Sequence, residues 1–121
     1  MLKRFEKSKT VPACFGSILG TSYTEEMKGY LDELCWNFIK KGMKVHPHKH
    51  PKKEAYLFTR GKGTMQVDNE KMSVKEGDIV FIPENALHTA WTDDEEDLEF
   101  IIIGVRKPHS LEKLAKKLAI H

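Results

Sequence analysis

His48 and His50 stand one residue apart, and the chain then alternates through Glu54, Tyr56 and Phe58 against Ala55, Leu57 and Thr59 until Gly61-Lys62-Gly63. Successive strand side chains point to opposite faces, so an i, i+2 histidine pair presents both imidazoles to one side. A helix would turn them apart. Pro51, Lys52 and Lys53 read as a short turn, after which Glu54 opens the next strand close enough to join the pair. His88 follows a strand over 78–82 and a turn at Pro83-Glu84-Asn85, and it begins another strand that ends at Thr92. Three imidazoles and one carboxylate at these spacings form a candidate metal site built on β-strands, provided that a folded sheet returns His88 to the other three.

The remainder of the chain agrees with strands. Residues 34–39 read as one, ending at Lys40-Lys41-Gly42; 64–67 and 72–74 read as a hairpin about Asp68-Asn69-Glu70; and 98–105 reads as the last core strand. Many short strands separated by turn signals are the pattern of an all-β sandwich or barrel. With 121 residues and no repeat or linker, the chain is one domain, residues 1–121, with its barrel over about 11–106. Ser110 precedes Leu111, Leu114, Ala115 and Leu118, an N-cap followed by an amphipathic pattern, which predicts a short C-terminal α-helix over about 110–119. That helix would cover the barrel or a dimer contact. Residues 23–32 carry mixed signals, helical at Glu25-Glu26-Met27-Lys28 and loop-like at Gly29, and stand as a lid candidate.

From Gly42 the chain reads glycine, five residues, His-x-His, three residues, glutamate, six residues, glycine; Gly77, Pro83 and His88 then fall at the spacings of a second signature. The chain resembles a small single-domain cupin of the type-2 conserved barrel family. Asn85 stands where that family usually has glycine and Thr92 where it usually has asparagine, and neither is a ligand position. Asparagine tolerates positive φ, so Asn85 can still make the turn. A lone His-x-His is as consistent with a basic solvated loop as with a ligand pair. Glu54, Gly61 and His88, all in register, move the reading to metal. His46 has the parity of His48 but no slot in the signature, which places it at the rim or behind the ligands and not among them. His109 and His121 lie in or beside the charged tail, where exposure is the default.

The resemblance implies a double-stranded β-helix, the jelly-roll barrel of cupins. It also implies one divalent transition metal per subunit, held by His48 Nε2, His50 Nε2, a Glu54 carboxylate oxygen and His88 Nε2. Three imidazoles and one hard carboxylate suit Mn, Fe, Ni, Co, Cu or Zn. Four protein ligands leave two positions open in an octahedral geometry, room for a substrate that chelates through adjacent oxygens or for substrate and dioxygen together. Tyr56 and Phe58 share the face of Glu54, and Ala90 and Thr92 that of His88, so all four should point inward. Trp36, Phe38, Phe58, Phe81 and Trp91 are core-packing aromatics. Tyr56 is the catalytic candidate, because a hydroxyl near the metal can orient a substrate or donate a proton. Only Arg4, Arg60 and Arg106 are available as guanidinium clamps, and none has a defined place near the metal.

A net charge of +2 gives no case for nucleic acid. Lys40, Lys41 and Lys44, with Lys49, Lys52 and Lys53, read as solvated rim charges that could draw an anionic substrate. Asp93-Asp94-Glu95-Glu96-Asp97 reads as a solvated hairpin loop. Cys14 and Cys35 form no disulfide framework, no apolar leader precedes Cys14, and the apolar run 100–105 is too short for a bilayer, so a soluble cytoplasmic protein is expected. Outward apolar residues Ala55, Leu57, Ile101 and Ile103 predict a homodimer. Three function classes follow: a small metalloenzyme of oxygenase, isomerase or lyase (decarboxylase) type acting on a small molecule; a non-catalytic module binding a sugar-like ligand; and a metal-stabilised structural or storage protein.

Overall fold

The computed structural model describes residues 1–93 and 95–106. Nine strands follow in order: β1 (Val11–Ala13), β2 (Ile18–Ser22), β3 (Glu33–Ile39), β4 (Lys53–Arg60), β5 (Lys62–Val67), β6 (Glu70–Lys75), β7 (Ile79–Ile82), β8 (His88–Thr92) and β9 (Leu98–Val105). Turns of 3-10 helix at Lys7–Lys9 and Thr24–Met27 are the helical elements among the described residues. None is long and apolar enough to cross a membrane. The predicted helix over 110–119 lies outside the described residues.

Two antiparallel sheets form the jelly roll, one ordered β1-β2-β3-β9-β4-β7 and the other β6-β5-β8. Their inner faces make the core. On β4, Glu54, Tyr56 and Phe58 are buried while Ala55, Leu57 and Thr59 are half-buried outside. On β9, Leu98, Phe100 and Ile102 point in, and on β8 His88, Ala90 and Thr92 are buried, as the alternation requires. Phe100 stacks on Tyr56, and Met65 and Val74 close the packing from the smaller sheet.

The turns hold these faces in place. Gly61, between β4 and β5, has φ 90°, and a Cβ there would sit 2.1 Å from the Asp97 carbonyl oxygen. Asn85 has φ 61°, so it makes the turn expected of it before His88. Thr92 Oγ1 accepts a hydrogen bond from Gly42 N at 2.6 Å, which ties the loop ahead of the histidines to β8.

Several expectations need correction, and β1 and β2 were not read as separate strands. Phe81, expected in the core, is 72% exposed, because it stands on the outer face of edge strand β7. Residues 24–27 form a 3-10 turn that packs on β3, with Glu26 paired to Lys3 at 3.5 Å, so their contacts run to the N-terminal residues. Lys53 already belongs to β4, and Lys52 is not a solvated rim charge: its ammonium lies 3.2 Å from Glu33 Oε1, with its side chain 13% exposed. Asp97 is anchored and not merely solvated, since it accepts hydrogen bonds from Lys41 N at 2.9 Å and Lys7 Nζ at 3.2 Å.

Candidate metal centre

His48 and His88 face each other in an isolated antiparallel bridge: His48 N donates to His88 O at 3.1 Å, and His88 N donates to His48 O at 2.9 Å. Directly opposed residues send their side chains to the same face, so the two rings meet with centroids 4.2 Å apart. His50 shares that face two residues on. Its carbonyl accepts from Asn85 N at 2.7 Å, so the turn before His88 also holds the His50 backbone. Donor atoms of His48, His50 and His88 all lie within 4.8 Å of one another, a cluster that could hold a metal ion.

Glu54 approaches from β4. Its Oε1 lies 3.5 Å from His88 Nε2 and 3.8 Å from His50 Nε2. These distances are too long for charge-assisted hydrogen bonds. The protonation states agree, because both groups are held neutral. Burial, then a hydrogen bond to Glu33 and the charge of Glu33, push the Glu54 carboxyl up to about 8, with Lys52 opposing. Burial pushes His88 down to about 4, against the Ala86 carbonyl and aided by His48 and His50. His50 is lowered as well, first by burial and then by His48.

The ring orientations suit a metal. His48 Nδ1 lies 2.7 Å from the His46 carbonyl oxygen and His88 Nδ1 lies 2.9 Å from that of Ala86, so each Nδ1–H donates to the backbone and leaves Nε2 as a free lone pair. His88 Nε2 and Glu54 Oε1 are buried and find no hydrogen-bond partner among the described residues. Each such orphan costs about 1–3 kcal/mol, which a shared cation would offset. The donor set of imidazoles and a carboxylate fits such an ion. His46 takes part through its carbonyl only, since its ring lies against Phe15 at 4.6 Å.

The opening is asymmetric. The side chains of Glu54 and His88 are each 1% exposed while that of His50 is 35% exposed, so solvent reaches the cluster past His50. Tyr56 is fully buried beneath it, edge-on to His88 with centroids 5.9 Å apart. Three neighbours were not foreseen in the places they take. Cys14 Sγ lies 3.2 Å from His48 Nδ1, delivered by a tight β1–β2 turn in which Cys14 and Phe15 have φ 49° and 58°. Glu33 reaches the level of Glu54 by strand register through Gly104, and Lys52, two residues before Glu54, is held there by its pairing with Glu33.

The Cupin domain family matches residues 36–104, more than half of the chain, and the chain belongs to that family. An uncharacterized protein of Methanocaldococcus jannaschii is 39% identical over 62 residues, which are 50% of this chain and 50% of that one. The chain thus spans about half the length of this curated relative. Among solved structures, a predicted oxalate decarboxylase from Thermotoga maritima superposes with TM-score 0.72 at 20% identity, over 87% of this chain and 100% of that one. A Cupin 2 conserved barrel domain protein from Salinispora arenicola superposes with TM-score 0.76 at 13% identity, over 97% of each chain. At such identities the likeness establishes the fold.

Proposed function

We propose that the chain holds one divalent transition metal through His48 Nε2, His50 Nε2, Glu54 Oε1 and His88 Nε2, and that this centre turns over a small molecule. The observation that carries the reading is the pair of orphaned donors, Glu54 Oε1 and His88 Nε2, buried and 3.5 Å apart, while Nδ1 of His48 and of His88 is bonded to a backbone carbonyl. When bound, such an ion supplies Lewis acidity to oxygen atoms of a substrate. His48 and His88 contribute fixed tautomers. Glu54 contributes the negative charge that moderates the ion, and it must lose its proton to do so. Substrate enters past His50, the exposed side. Tyr56 is the catalytic side chain in this proposal: burial, then the charges of Glu54 and Glu33, hold its phenol well above the usual range. It therefore stays protonated and acts as a hydrogen-bond donor.

Isomerase, lyase (decarboxylase) and oxygenase chemistry all suit such a centre. The likeness to a predicted oxalate decarboxylase makes small dicarboxylates the first substrates to test, with catechols, diketones and α-hydroxy acids beside them. The decisive experiment is elemental analysis of protein purified without added metal, followed by turnover assays on the metal-loaded chain. Close to one metal per chain, lost in His50→Ala and His88→Ala, is expected. A full complement in both variants would refute the centre.

A further inference from the structure

Glu33, Gly104 and Glu54 occupy one level of three adjacent strands, because Gly104 of β9 pairs with Glu33 of β3 on one side and with Glu54 of β4 on the other. The next level inward, Cys35, Ile102 and Tyr56, faces the core, so the level above it faces the barrel interior too. Neighbouring strands lie about 4.8 Å apart, which separates the two glutamate backbones by roughly 10 Å. Their side chains can meet only if the strand between carries no side chain of its own.

Gly104 meets that condition. A Cβ built there would lie 2.9 Å from both Cβ and Oε1 of Glu33 and 3.3 Å from Cδ of Lys52. Glu33 and Lys52 therefore fold over the bare glycine, with Lys52 Nζ 3.2 Å from Glu33 Oε1. Asp32 locks this level, since its N–H donates to the Gly104 carbonyl at 3.0 Å and its carboxylate accepts from Arg106 N. Lys52 is two residues before Glu54, on the same face.

We propose that Glu33 and Lys52 form a positioning pair for Glu54: Glu33 pins the Lys52 ammonium over Gly104, and the ammonium steadies Glu54 once it is ionised as a ligand. The inference rests on the metal-centre reading above. A ligating carboxylate needs support behind it, and removal of such support typically weakens metal binding by about 10–100-fold. The competing role is a strand-to-strand tie that holds β3 against β4 and does nothing for the metal.

The test is titration of the full chain with Co(II) as the probe, read by its visible spectrum, alongside melting of metal-free protein. Glu33→Gln and Lys52→Met should each raise the Co(II) Kd by about 10–100-fold, and Lys52→Arg, which keeps the charge, should stay close to wild type. In a Glu54→Gln background the Glu33→Gln change should alter Kd by no more than about twofold, because its route runs through Glu54. Gly104→Ala, which fills the gap, should weaken Co(II) as Glu33→Gln does, and it tests the pair should that variant fail to fold. An unchanged Kd in Glu33→Gln and Lys52→Met, with Glu54→Gln still weakened, would overturn the positioning role and leave the metal centre standing. Equal losses with and without Glu54, or a lower melting temperature at unchanged Kd, would show a structural tie. Wild-type protein that takes up no Co(II) would overturn the metal centre itself, and this inference with it.

Discussion

Burial keeps Glu54 uncharged in the metal-free protein, and glutamine has nearly the shape of an uncharged glutamic acid. Glu54→Gln should therefore not destabilise the metal-free protein near pH 7, and should stabilise it by up to about 3 kcal/mol because glutamine need not take up a proton to be buried, while weakening metal binding by more than about 100-fold. Thermal melts and metal titration check the two halves, and a large drop in the metal-free melting temperature would make Glu54 structural. The same raised carboxyl sets a pH dependence. Its ordinary value is 4.5 and its folded value is about 8, so the folded chain holds the proton more tightly and loses stability as pH climbs from 4.5 through 8. His88 works in the other direction: ordinary value 6.5, folded value about 4, so stability falls as pH drops from 6.5 through 4. The two ranges overlap around pH 4.5 to 6.5, where the opposite slopes cancel, so metal-free protein should be most stable there and lose stability on either side. Metal affinity should instead rise toward pH 8 by up to about tenfold per unit as Glu54 ionises. Urea melts and Co(II) titrations across pH 4 to 9 test both, and a metal affinity that is flat from pH 6 to 8 would contradict the assignment. At this scale His48, His50 and Glu54 were legible because their spacing is local and periodic, and His88 because a second run of glycine, proline and histidine spacings marks it. Glu33 was not, because it reaches Glu54 through pairing between β3, β9 and β4; Cys14 was not, because the turn that delivers it is hardly marked; and Lys52 was read as a solvated charge because its partner Glu33 is distant in sequence.

Strand-scale legibility follows the same division. β4 and β9 announce themselves by alternation, since one face of each is buried in the barrel and the other is not, while on β8 Thr89 of the opposite face is buried too. β1 and β2 do not, because β1 is three exposed residues around Pro12 and β2 contains Gly20. Gly20 is required there by its neighbour: a Cβ would lie 1.7 Å from Asn37 Oδ1, so a strand-weakening residue marks a packed site. Gly61 is the corresponding case at a turn. An alanine there would be held at φ 90° with its Cβ 2.1 Å from the Asp97 carbonyl oxygen. The backbone strain alone costs about 1–3 kcal/mol. Gly61→Ala should accordingly lower the melting temperature by at least about 5 °C. Metal affinity of the folded fraction should be nearly unchanged, because His48, His50 and His88 are fixed by the bridge and the Asn85 turn at the opposite end of β4. A Gly61→Ala variant as stable as wild type would show that the turn relaxes at no cost.

At the scale of the whole molecule, the described residues leave part of the larger sheet uncovered. Pairing across that sheet aligns two outward rows, Phe81-Ala55-Ile103-Leu34 and Ile79-Leu57-Ile101-Trp36. At the β3 end the N-terminal residues shield the rows, with Phe5 stacked on Trp36 at 5.1 Å. At the other end β7 is an edge strand with no outer partner among the described residues, and Phe81 is 72% exposed and Ile79 48% exposed. With Val67, Met72 and Pro83 they line an open groove. An apolar row beside an unpaired strand edge is a surface that a second copy can cover by symmetric contact, since each copy offers the same row. Homodimer formation is therefore expected, centred on Phe81 and Ile79, with Ala55, Leu57, Ile101 and Ile103 behind them. The histidine cluster and Glu54 face the barrel interior, so a change on the outer row should separate assembly from the proposed metal binding. Phe81→Glu places a charge at the exposed edge-strand end of the row. Light scattering should give twice the chain mass for wild type at micromolar concentration and the single-chain mass for Phe81→Glu, at equal metal content. A wild-type protein that scatters as a single chain would remove the dimer, and a Phe81→Glu variant that stays paired would move the contact away from β7.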